Sequence, residues 1–294
     1  MIVKLLLGVL GVLTLYFVFF FVKDVSANKE AMANEQASWG KSILIGAFVN
    51  FFDTLGIGSF APLTALLDFF KQLDHDRLLP GTLNVSCTIP VLTEAFIFIQ
   101  SVEVEPVTLF SMVAAAVVGS FVGSRTVSKL PENKVQFYMG LALLVTAALM
   151  LLRQFGALDA LGTGNEAIGL EGVSLVIAVV VNFFLGALMT IGVGLYAPCM
   201  ALVYMLGLNP LVAFPIMMAS CAGLMPVASA EFIKAGVYSR KASIAITLGG
   251  IVGVIIAAKF VTGLPMNVLT IIITIVVIYT AITYIKKSKQ SAAA

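Results

Sequence analysis

The chain has 294 residues, of which 60% are hydrophobic and 11% charged, with a formal net charge of +2. Soluble domains carry about 25% charged residues, so a mean hydropathy of +1.08 marks an integral membrane protein. The small net charge, with no basic, aromatic-rich patch, argues against nucleic acid as a partner. The lone histidine, His75, lies in a polar run, and Cys87, Cys199 and Cys221 lack CxxC spacing, so neither a metal site nor a disulfide framework is indicated.

In chain order, residues 4–22 form an apolar run headed by Lys4. Val25-Ser-Ala27 is a poor cleavage site, so this run reads as a retained membrane helix followed by a polar tether to residue 41. The next apolar segment, 42–70, is broken at Gly56-Ile57-Gly58. Spans follow at 82–100 (interrupted by Pro90), 107–124 and 135–152. After a linker at 153–171, a second segment, 173–207, is broken at Gly192-Val193-Gly194, and spans follow at 211–233, 242–260 and 266–285. The expected division is 1–41, a first repeat 42–152, the linker, a second repeat 172–286, and a tail 287–294.

The two breaks are copies of one motif. At a constant offset of 136, Thr54, Gly56, Gly58, Ala61, Pro62, Ala65 and Leu66 meet Thr190, Gly192, Gly194, Ala197, Pro198, Ala201 and Leu202, and Phe60 meets Tyr196. Further on, at an offset of 134, Ser86-Cys87 meets Ser220-Cys221, Gly119 meets Gly253, Arg125 meets Lys259 and Leu130-Pro131 meets Leu264-Pro265. Matching Gly/Pro-interrupted segments in two halves are the sequence pointer to a transporter binding site.

Lysine and arginine gather in 71–80, 125–134, 234–241 and Lys286-Lys287-Ser288-Lys289, whereas 101–106, 153–172, 207–211 and 261–266 are poor in them. With the basic loops cytoplasmic, 173–207 must enter and return on the outer side, and 42–70 does the same from the inside. The expected fold is therefore all-α: two inverted repeats, each a re-entrant hairpin plus three spans, with the N-terminus outside and the C-terminus cytoplasmic. The alternative has both breaks lying mid-span and the halves parallel; the first segment, 42–70, is long enough for that.

Two glycine-broken copies, a four-plus-four plan and an opening Gly-Ile-Gly within an apolar helix resemble the TauE/SafE family, the sulfite exporter-like permeases. The resemblance covers about residues 42–286 and sets the N-terminal helix down as an addition to the usual plan. Ser59 and Leu195 stand where a third glycine often follows in the family. It implies a non-enzymatic transporter of small sulfur-containing anions such as sulfite or organosulfonates, in a bacterial inner membrane, with no cofactor.

An oxyanion can be held by unpaired amides at half-helix N-termini. Gly56, Gly58, Gly192 and Gly194 would let it approach the backbone, and Asn50, Thr54, Ser59, Thr190 and Tyr196 surround those ends, with Ser86 and Ser220 in the following spans. Asp53 and Glu94 are the intramembrane carboxylates and candidates for a coupling proton; Asp53 has an alternative role as a cap of the second half-helix. Two rival functions stay open: a transmembrane thiol–disulfide relay through Cys87 and Cys221, and an anion channel. The sequence leaves the oligomeric state open.

Overall fold

The computed structural model describes residues 2–55, 57–98, 104–260 and 266–293. Gly56 and the loop residues expected at 101–103 and 261–265 lie outside the described residues. Among those described, the chain is helical apart from its loops and one isolated bridge between Ala167 and Leu208. The helices are α1 (Ile2–Ala27), α2 (Lys29–Asn34), α3 (Trp39–Thr54), α4 (Phe60–Phe69), α5 (Leu79–Phe98), α6 (Pro106–Val127), α7 (Glu132–Gln154), α8 (Ala157–Leu161), α9 (Gly172–Met189), α10 (Tyr196–Met205), α11 (Pro210–Ala235), α12 (Arg240–Phe260) and α13 (Met266–Ala293). Six of them (α1, α6, α7, α9, α11 and α12) carry apolar stretches long enough to cross a membrane, counted among the described residues.

Hydrogen bonds sort the loops into two groups. In one, Ser38 and Ser42 bond Gln72, Asp76 joins Glu132 and Gln136, and Arg77 donates to the Ser128 carbonyl. Lys287 pairs with Asp68 and Asp76, and Ser239 donates to Thr82. In the other group, Glu105 bonds Ile168, Asn165 donates to the Tyr204 carbonyl, and Asn209 bonds Ala167. The basic loops make up the first group and the described basic-poor stretches, 104–106, 153–172 and 207–211, the second, and α6, α7 and α11 each run from one to the other. Both ends of the α3–α4 segment sit in the basic group and both ends of α9–α10 in the other, so each broken segment returns to the side it started from.

Close crossings hold these broken segments. Gly119 of α6 abuts the backbone of Phe183 and Ala187 in α9, while Gly253 of α12 abuts that of Ala47 and Phe51 in α3. Gly119 and Gly253 are counterparts at the offset of 134, and Ala47 and Phe51 are counterparts of Phe183 and Ala187 at the offset of 136. Likewise Gly46 meets the backbone of Ile246, and its counterpart Asn182 donates to the carbonyl of Met112, the counterpart of Ile246. Without side chains at the glycine crossings the helix backbones approach closely, as packing in membranes favours.

Three expectations need correction. Pro90 does not interrupt its span but lies inside α5. Its ring nitrogen leaves the Ser86 carbonyl without its helical donor, and the Thr247 hydroxyl of α12 takes that place at 2.9 Å. The stretch 23–41 is more than a tether. Asp24 bonds the Tyr238 hydroxyl and the Arg240 guanidinium, and Glu35 accepts from Ser239 Oγ and from the amides of Arg240 and Lys241 at the start of α12. Beyond 285 the chain does not leave its helix, since α13 continues to Ala293.

Glu105 and Asn209 start α6 and α11 in the same way, each accepting from amides in the first turn ahead of a helical Pro. Burial opposes charge on Glu105, but the amides of Thr108 and Val107 and the Thr108 hydroxyl outweigh it and hold its carboxyl below the usual value.

The crossings predict a stability pattern. A methyl at Gly119 or Gly253 overlaps the facing backbone, whereas one at Gly11 of α1 meets nothing within 4 Å. Gly119→Ala and Gly253→Ala should each cost about 1–3 kcal/mol and lower the melting midpoint of the solubilised protein, with Gly11→Ala as an unaffected control.

Candidate functional site

Both breaks face one cavity. α3 ends at Thr54 and α4 begins at Phe60, with the chain reversed through Gly58 at a φ of +91°. α9 ends at Met189 and α10 begins at Tyr196, and here the positive φ, +110°, falls on Gly192. Gly58, Phe60 and Ala61 from the first break, and Gly194, Tyr196 and Ala197 from the second, line a cavity of about 60 Å³. A water needs about 10–15 Å³ measured this way, so roughly four waters fit, or a small oxyanion in their place.

The sequence of each return arm decides which amides are free. The first amides of an α-helix have no partner in its ladder. Pro62 and Pro198 fill the third helical position and bring no N–H, and the next amides, of Leu63 and Cys199, already bond Ser59 and Leu195 oxygens. Each end thus offers the amides of its first two residues: Phe60 and Ala61, Tyr196 and Ala197. All four residues line the cavity. The dipoles of two ten-residue helices add partial positive charge at the same place. Among the described residues, no lysine, arginine or histidine lines the cavity.

Asp53 is also part of the wall and is 3% exposed. Its carboxylate faces the amide and hydroxyl of Ser59, which is itself the N-cap residue of α4, and no side chain caps that helix. Behind the wall, Glu94 of α5 is 1% exposed. The Thr54 hydroxyl lies 2.8 Å from Glu94 Oε1, and the Tyr196 hydroxyl donates to Oε2 at 3.3 Å. Glu94 therefore touches the last residue of α3 and the first of α10, one from each break.

The other expected residues are seated elsewhere. Asn50 donates to the Gly46 carbonyl within α3, and Thr190 donates to the Ala187 carbonyl at the end of α9. The Ser86 hydroxyl turns to the Leu83 carbonyl, and Ser220 accepts from Asn182 between α11 and α9. Gly192 packs on Met139. None of these five lines the cavity. Gly58, Ser59, Gly194 and Tyr196 do line it, and Gly56 is outside the described residues.

Most of the wall was missed as such, including Thr146, Leu149 and Met150 of α7, Met189 and Cys221. Met189 is the counterpart of Asp53 at the same offset of 136 that pairs the two motifs, so the offset itself was the signal. All three cysteines are free and buried. Cys221 is at the cavity, and Cys87 is not among its lining residues. Arg125 and Lys259 belong to the C-terminal ends of α6 and α12. Arg125 is bonded to Glu231 at 2.6 Å and lies over the Phe121 ring.

A bundle of membrane-length helices with two broken helices facing one internal cavity defines a membrane transport protein. The chain belongs to the Sulfite exporter TauE/SafE family, which it matches over residues 1–154. The match begins at residue 1, so it takes in α1, which the motif resemblance had set outside the usual plan, and it ends with α7. No curated protein matches the chain, and no solved structure does.

The two glycines in equivalent motif places differ in what they require. Gly58 needs its positive φ, and Gly194 has an ordinary φ with open space where a Cβ would sit. Gly58→Ala should cost about 1–2 kcal/mol of stability through backbone strain. Gly192→Ala should cost at least as much, because Met139 also crowds the new methyl. Gly194→Ala should melt as the unmodified protein does. Thermal unfolding of the three purified variants checks the ranking.

Proposed function

We propose that the protein is a permease for small sulfur-containing anions, sulfite or organosulfonates among them, which binds its substrate between the two broken helices and exposes it to either side in turn. The observation that carries this reading is the convergence of two helix N-termini, with four unpaired amides, on one cavity that no basic side chain among the described residues enters. Such a cradle favours negative charge through neutral donors. Membership of the TauE/SafE family agrees with it.

In this reading the halves 42–152 and 172–286 are inverted repeats. The glycine crossings support that reading, because the contact of Gly119 in α6 with α9 has its counterpart in that of Gly253 in α12 with α3. The return arms support a break near mid-depth: ten residues rise about 15 Å, half of a hydrocarbon core of about 30 Å. The basic end then faces the cytoplasm of a bacterial cell, with the N-terminus outside and the C-terminus inside.

Calorimetry on purified protein with sulfite, thiosulfate, sulfoacetate, taurine and sulfate tests the proposal. At least one sulfur oxyanion should bind saturably. Gly194→Ala places a methyl at the wall without backbone strain and should weaken that binding severalfold. Ser59→Ala should cost about 0.5–1.5 kcal/mol. Arg125→Gln and Lys259→Gln should change flux into vesicles more than affinity. Unchanged affinity in both cavity variants, with large losses in the two charge variants, would refute the cradle. Flux that rises linearly with concentration would mark a channel.

A further inference from the structure

We propose that the anion binds together with one proton, and that Glu94, not Asp53, holds it. The inference rests on the permease reading above and adds the identity of the coupled ion and of its carrier.

The first argument is a count of hydrogens. Thr54 Oγ1 lies 2.8 Å from the Asn50 carbonyl and 2.8 Å from Glu94 Oε1. A hydroxyl has one proton to give. With Glu94 ionised, two acceptors compete for that proton. With Oε1 protonated, Glu94 donates to Thr54, Thr54 donates to the Asn50 carbonyl, and the Tyr196 hydroxyl donates to Oε2. Every hydrogen is then used and every acceptor filled. Asp53 differs, since it faces an amide and a hydroxyl, both donors, from Ser59.

The second argument is charge. Glu94 reaches α3 at Thr54 and α10 at Tyr196, its helix α5 packs against α11 and α12, and the titratable groups near it are Asp53, Tyr196, Cys87 and Cys221. None of these is cationic. The cations of α12 are occupied or remote: Arg240 and Lys241 bond to Asp24 and Glu35 at one end, and Lys259 is exposed at the other. When Glu94 is ionised, an oxyanion entering the cavity brings a negative charge near two carboxylates that no basic side chain among the described residues neutralises. Taking up one proton at Glu94 removes one of those charges for each anion bound.

The third argument is position. Because Glu94 reaches Thr54 with one oxygen and Tyr196 with the other, its proton is held where the two breaks meet. A change in its protonation alters a bond to both hairpins at once.

The sign follows by linkage. The occupied protein holds one proton more than the empty protein once the empty site has lost its own. Affinity then falls about tenfold per pH unit above that point and is flat below it. The test uses the full chain in nanodiscs with thiosulfate and 2-hydroxyethanesulfonate, whose charges do not change over about pH 5.5 to 8.5, the range open to a buried carboxylate. Calorimetry in buffers of different ionisation heat counts protons taken up per anion.

About one proton per anion bound should be taken up at the alkaline end by the unmodified protein, and Asp53→Asn, whose affinity can change because Asp53 lines the cavity, should keep that ratio. Glu94→Gln, whose amide can donate to Thr54 and accept from Tyr196 as the protonated acid does, should bind with no proton uptake and no pH dependence. Binding without proton uptake at any pH overturns this inference alone, and so does uptake that survives in Glu94→Gln but is lost in Asp53→Asn. If neither anion binds over the whole range, the permease reading falls and this inference falls with it. Should Glu94→Gln fail to fold, the proton count on the unmodified protein still decides.

Discussion

Backbone that leaves its helix inside an apolar bundle must be covered by protein or by a water-lined cavity, and most of this structure can be traced to that constraint. Gly58 and Gly192 take the chain out of helix, and Pro62 and Pro198 restart it without an amide to spare. The freed groups then need walls. α12 covers α3 and α6 covers α9 at glycines that let the backbones touch. What remains uncovered is the start of each return arm, and those two starts share one cavity.

The parts legible in the sequence were those written twice or written in charge. The offsets of 136 and 134 located both breaks and also the partners of the covering glycines. The distribution of lysine and arginine separated the loops as the hydrogen bonds do. Less legible was anything settled by a partner far along the chain. Pro90 reads as a break because its compensation, the Thr247 hydroxyl, belongs to α12 in the other half. Asp24 and Glu35 read as tether because their partners begin at Tyr238.

Within the site, the hydroxyls and amides nearest the glycines in sequence proved a poor guide to the cavity. Asn50 and Thr190 bond backbone inside their own helices, as Ser, Thr and Asn side chains commonly do. Even the glycines do not correspond residue by residue. The positive φ belongs to the second glycine of one motif and the first of the other, so one motif serves two local geometries.

The wall residues carry the backbone's doubling only in part. Asp53 has Met189 as its counterpart, Phe60 has Tyr196, and Glu94 has Ala228 at an offset of 134. Two halves alike in every atom would give an empty carrier whose two access states have equal energy. Here both carboxylates come from one half and the phenol from the other, so exchanging the roles of the halves does not return the same set of interactions. In the proposed alternating carrier the resting population would then be unequal, tenfold for each difference of about 1.4 kcal/mol between the states. Alternation would supply the path, and this chemical lopsidedness would set which side the empty protein waits on.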